Sequence, residues 1–122
     1  MKTYSFEKLD TWQMARALAV RIYKVTREFP EDEKFGIISQ MRRAGISISS
    51  NIAEGSARIS GQDQARFYEI AYGSLMELLN QLIISVDLVY LPAESLNGFR
   101  SAIDDLAYKI GSLRSEALKS TS

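Results

Sequence analysis

Apolar residues in this chain recur in steps of three and four, segment after segment, a period that belongs to helices. Over 6–29 the repeat is Leu9, Trp12, Ala15, Leu18, Ala19, Ile22, Val25 and Phe29, one face of an amphipathic helix. Phe29-Pro30 ends it, and Glu31-Asp32-Glu33 suit the positive end of a second helix over 34–56. Ser60, with Asp63 three residues on, has the form of a capping box and starts a third helix over 61–91. Leu91-Pro92 breaks that helix and places Pro92 at the first position of a fourth over 93–118. There Leu96, Phe99, Ile103, Leu106, Ile110, Leu113 and Ala117 form a heptad-like seam. The polar residues 119–122 are expected to fray. Four long helices on short connections predict an all-α antiparallel up-and-down four-helix bundle. With 122 residues, 46% of them apolar, the chain fills one core and one domain over 1–122.

The third helix carries more apolar surface than one core needs. From Leu75 to Leu91 it is apolar nearly all round, yet Glu77, Asn80, Gln81, Ser85 and Asp87 interrupt it. A membrane span of roughly 18 uninterrupted apolar residues is never reached. One face is therefore expected in the bundle and another in a subunit interface, which predicts a homo-oligomer.

The second helix holds the most distinctive row. Gln40, Arg43, Ser47, Asn51 and Glu54 follow at offsets of 3, 4, 4 and 3, beside the apolar row Ile37, Met41, Ala44, Ile48 and Ile52. Hydrogen-bonding groups along the edge of a buried face predict a polar network that sets the register of the helices. The competing reading is a ligand site, with Arg43 gripping a phosphate or carboxylate. On the network reading, Arg43→Ala lowers stability or assembly. Gly45 inside the same helix implies close approach of a neighbouring helix, and Gly55 suits a left-handed C-terminal residue.

The chain has no histidine and no cysteine. That removes the Glu-x-x-His ligands of bundle di-iron sites, thiolate or histidine zinc sites, and the usual base of a serine nucleophile. Asp104 and Asp105 are adjacent and point about 100° apart on a helix, so they form no catalytic dyad. No glycine pattern fits a phosphate-cradling loop. No enzyme, metal or cofactor is expected. The absent disulfide framework and the absent apolar signal core point to a cytoplasmic protein. Tyr68 and Tyr72, one turn apart, are able to stack bases, although such pairs more often pack in a core.

Fifteen basic and fifteen acidic residues leave no net charge, so any nucleic-acid role has to come from patches. Residues 1–60 hold ten Lys and Arg against seven acids, and residues 61–122 hold five against eight, a split of +3 and −3. The outer face of the first helix carries Arg16, Arg21, Lys24 and Arg27, and the second adds Arg42.

Several motifs in order carry a family resemblance: Phe29-Pro30, Glu33 with Phe35-Gly36, Gln40, Arg42-Arg43-Ala44, Ser47-Ile48, Asn51-Ile52-Ala53-Glu54-Gly55, Arg66-Phe67, Ile70-Ala71, and Gly73-Ser74-Leu75 with Glu77-Leu78. The chain resembles the bacterial four-helix-bundle family of proteins encoded in intervening sequences of 23S ribosomal RNA genes. Gly45 and Ser50 stand where such sequences often carry alanine or proline. The resemblance implies up-and-down bundles assembled into rings, often pentamers, with no established catalytic activity. A related branch is similar to the accessory protein of diversity-generating retroelements, which engages nucleic acid and a reverse transcriptase. Two expectations follow. One is a non-enzymatic homo-oligomer that binds RNA or DNA through Arg16, Arg21, Lys24, Arg27 and Arg42, multiplied by assembly. The other is an oligomeric scaffold for a protein partner such as a reverse transcriptase.

Overall fold

A computed structural model describes residues 1–120. Four α-helices follow one another: α1 (Asp10–Thr26), α2 (Ile37–Ser56), α3 (Gly61–Asp87) and α4 (Ala93–Lys119), with short 3-10 turns at Ser5–Lys8 and Glu31–Glu33. Helix α1 packs on α2 and α4, and α3 packs on the same two, so α1 and α3 lie diagonally in an up-and-down bundle. The predicted period is what fills the centre. Ile22 of α1, Met41, Ile48 and Ile52 of α2, Leu75, Leu78 and Leu82 of α3, and Ile103, Leu106 and Ile110 of α4 are all fully buried. Each such side chain contributes about 1.5–3 kcal/mol relative to exposure.

The ends of the helices depart from the sequence expectation in instructive ways. Helix α3 stops at Asp87, short of the expected boundary at 91, and Val89 stands in a left-handed conformation at φ 64°. The amides of Tyr90 and Leu91 then turn back to the Ser85 carbonyl, which closes the helix end before proline is reached. Pro92 precedes the first residue of α4 as its cap and does not occupy the first helical position. Ser60 accepts a hydrogen bond from the Asp63 amide at 3.1 Å, the cap anticipated for α3. Helix α4 runs through Lys119, and the Ser120 amide still bonds Glu116, so of the tail expected to fray, Lys119 and Ser120 extend the helix end. Residues 121 and 122 of that tail lie outside the described residues.

Gly55 is a second correction. It is buried within the last turn of α2 and has no left-handed φ. A Cβ there would stand 2.8 Å from Tyr68 Cε1 and 2.9 Å from Phe67 Cβ. The glycine is needed for close approach to α3, and its backbone freedom is not used.

Candidate functional site

The two flanks of α2 handle polar groups differently. Toward α1, the Arg42 guanidinium lies over the Tyr23 ring at 4.6 Å. Its Nε donates to Thr26 Oγ1 at 3.0 Å, and Nη2 donates to the Tyr23 carbonyl at 3.3 Å. Thr26 Oγ1 in turn donates to the Ile22 carbonyl at 2.7 Å. Arg42, expected among the phosphate-binding cations, is half-buried and uses its Nε and Nη2 to brace α2 against the end of α1.

Toward α3, the row expected to form one buried network divides. Asn51 Nδ2 donates to the Ser47 carbonyl at 2.8 Å and to Ser47 Oγ at 3.1 Å. Ser47 Oγ and Ser74 Oγ of α3 are hydrogen-bonded at 2.8 Å. Gln40, Arg43 and Glu54 are exposed. Within one chain the network is therefore Ser47, Asn51 and Ser74, and the other three side chains stay outside it. Gln40, Arg43, Ala44 and Ser47 line an open cleft of about 480 Å³ with Glu77 of α3. One helical turn beyond, Gln81 is buried and donates to Glu77 Oε2 at 3.4 Å, while its Oε1 has no hydrogen-bond partner.

The cations of α1 are all exposed. Arg16, Lys24 and Arg27 share one face at helical spacing, with the exposed Val20 between the first two. Arg16 lies over the Trp12 ring at 5.3 Å, and Arg21 turns toward α4, over Phe99 at 4.4 Å. Among the described residues the two ion pairs are Arg66 with Asp63 and Arg114 with Glu69, so none of these four is neutralised by a carboxylate. Stacking on an aromatic face holds a guanidinium in place without cancelling its charge.

The tyrosine pair also divides. Tyr68 is buried against Gly55, and burial raises its phenol above the ordinary tyrosine value. Tyr72 is exposed and lines a groove between α3 and α4 with Tyr68, Gly111 and Arg114. Sequence reasoning treated α4 as a bundle seam and passed over Tyr108, Gly111 and Arg114. The available signal was Gly111, a glycine inside a helix, where it costs about 1 kcal/mol relative to alanine. No cluster of His, Cys, Asp or Glu able to hold a metal ion occurs among the described residues, and no helix there is long and apolar enough to cross a membrane.

These features define an up-and-down four-helix bundle with a cationic outer helix, an open polar cleft and an aromatic groove. Residues 7–112 match the family described as 23S rRNA-intervening sequence protein, and the chain belongs to that family. A crystal structure of a protein of unknown function from the S23 ribosomal protein family of Bacteroides thetaiotaomicron VPI-5482 has the same fold. The match has a TM-score of 0.79 at 22% identity and covers 86% of this chain and 95% of that one. No curated protein matches the chain.

Proposed function

We propose that this chain works without catalysis, as a cytoplasmic homo-oligomer that binds RNA or DNA by repeating a weak cationic face around its assembly. The observation that carries this reading is the face of α1, where Arg16, Lys24 and Arg27 stand exposed with no carboxylate paired to them, and Arg21 flanks them. A few phosphate contacts bind poorly at physiological salt, and several linked copies raise the overall affinity by roughly 10²–10⁴. The family's description by 23S rRNA intervening sequences favours RNA as the polymer.

Assembly is supported by the outward side of α3. Ile70, Ile84 and Leu88 are exposed there, and at Gly73 a Cβ would meet nothing within 4 Å. Apolar side chains and a glycine with no steric purpose in its own chain fit a surface covered by a second copy. The family resemblance favours a ring, with five copies as the leading number. Light scattering measures the mass; a strict monomer removes this reading.

Anisotropy titrations of a structured RNA and a DNA duplex against salt test the binding. Affinity is expected to fall steeply with salt, and each of Arg16→Glu, Lys24→Glu and Arg27→Glu lowers the slope by about 1 per engaged copy if that residue holds one phosphate. Absence of binding at low salt overturns the proposal. The same apolar side of α3 and the zero net charge favour a second reading, a scaffold for a protein partner such as a reverse transcriptase. Pull-down of a partner that survives nuclease treatment supports the scaffold, and loss on treatment counts against it.

A further inference from the structure

On the cationic α1 face the Trp12 and Tyr23 rings lie under Arg16 and Arg42. The groove between α3 and α4 offers tyrosine rings with no such cation over them. Tyr68, Tyr72, Ile110 and Gly111 form its largely apolar walls, and its volume of about 430 Å³ falls within the roughly 300–1,000 Å³ of small-molecule sites. Tyr72, Gly111 and Arg114 also line a second cleft of about 560 Å³ that contains Tyr108, so the two clefts adjoin.

Three observations indicate the occupant. Tyr72 and Tyr108 line these adjoining clefts with exposed side chains, Tyr108 being 76% exposed, and Gly111 lies between them open, where a Cβ would meet nothing within 4 Å. Tyr68, only 4% exposed, is one of the groove's lining residues, and its side chain makes no hydrogen bond in the chain. Glu69 and Glu116 balance Arg114 and Lys119 at the rim, so the groove selects for no net charge. An aliphatic side chain leaves the phenol unpartnered, and a phosphate or acidic peptide finds no excess of cations. A flat, neutral heterocycle with acceptors on its edge satisfies all three.

We propose that this groove takes an unstacked nucleobase from a single-stranded segment of the polymer held by the α1 face. The inference rests on the nucleic-acid reading above. Tyr72 and Tyr108 supply stacking surface, the open backbone at Gly111 leaves room for the ring, and the Tyr68 hydroxyl donates to the base edge.

The test compares oligothymidylate with an abasic strand of the same length, which has the same charge and no bases. The intact protein is expected to prefer oligothymidylate by roughly five- to 150-fold, the range for stacking one base on an aromatic side chain. Gly111→Leu puts bulk where a Cβ meets nothing within 4 Å, and is expected to erase the preference while keeping abasic-strand affinity and solution mass and raising the melting temperature by a few degrees, because a helix-interior glycine is removed. Tyr72→Ala reduces the preference by a second route, and Tyr68→Phe by a smaller factor. If the intact protein binds both strands equally with a steep salt slope, the groove proposal fails and the cationic face stands. If neither strand nor structured RNA binds, both fail. If Gly111→Leu changes the solution mass, the groove is a contact between copies and the base proposal is overturned.

Discussion

Toward α1, helix α2 presents Gly45 and Arg42; toward α3 it presents Gly55 and Arg43, and the members of each pair are used in opposite ways. Gly45 has slack: a Cβ there would meet Ala19 Cα at 3.6 Å and Ile22 Cβ at 4.0 Å, ordinary contact distances. Gly55 has none, with Tyr68 and Phe67 inside 3.0 Å. The arginines reverse the pattern. Arg42 is closed onto Thr26 and Tyr23, whereas Arg43 opens into a cleft with no partner in its own chain. One flank is thus fixed by a side chain and tolerant in its backbone. The other is fixed by backbone proximity and leaves its charged side chain free for another molecule.

The sharpest way to break this comparison is Gly55→Ala. The new methyl would overlap Phe67 Cβ, an atom anchored to the α3 backbone, and overpacking of this kind costs about 1–3 kcal/mol. Chemical denaturation should report that loss, and an unchanged midpoint would mean that α3 yields easily. Next comes Arg42→Ala, which removes two charge-assisted hydrogen bonds at a half-buried site. A loss of about 1–2 kcal/mol is expected, toward the lower end because Thr26 keeps its bond to the Ile22 carbonyl. Arg42→Lys should recover little of it, since an ammonium lacks the fork that reaches Thr26 and Tyr23 together. Gly45→Ala has the opposite sign. With ordinary contacts available and a helix-interior glycine removed, stabilisation of up to about 1 kcal/mol is expected. A loss of stability there would show that α1 sits too tightly for a methyl group.

The fold was readable because its signal is periodic: Ile48, Ile52, Leu75, Leu78, Leu82, Ile103, Leu106 and Ile110 repeat in steps of three and four, and burial follows the repeat. The end of α3 was less readable. Pro92 is a visible stop, but the chain had already turned at Val89, a β-branched residue whose left-handed backbone no composition rule anticipates. Gly55 was assigned to backbone freedom because its position near a helix end allows that. The facing Tyr68 and Phe67, which decide the matter, become its neighbours only when α3 folds back. The row from Gln40 to Glu54 illustrates the same limit. Helical spacing places its members on one side of α2, but spacing does not say which of them meets a partner: Ser47 finds Ser74 of α3 and Asn51 bonds back to Ser47, whereas Gln40 and Arg43 line an open cleft. Arg42 and Arg43 are indistinguishable by type. Their different fates depend on Thr26 and the Tyr23 carbonyl, which the chain supplies from sixteen and nineteen residues away.

Arg43→Ala has the smallest expected effect on the single chain and separates the flanks most cleanly. The side chain is exposed and has neither ion pair nor hydrogen bond within the chain, so its loss should change protomer stability by less than about 0.5 kcal/mol, or roughly 1–3 °C in melting temperature. The measurement belongs at a dilution where light scattering reports monomer. There, a shift of many degrees would reveal a partner for Arg43 inside the chain and undo the contrast with Arg42. At higher concentration the expectation changes, because the cleft holds Arg43 and Glu77, opposite charges that a second copy can meet in reciprocal pairs. A variant that melts like the parent when dilute and dissociates more readily when concentrated would assign the open flank of α2 to assembly. A variant unchanged in both would leave Arg43 without a structural task and move the cleft back toward a ligand.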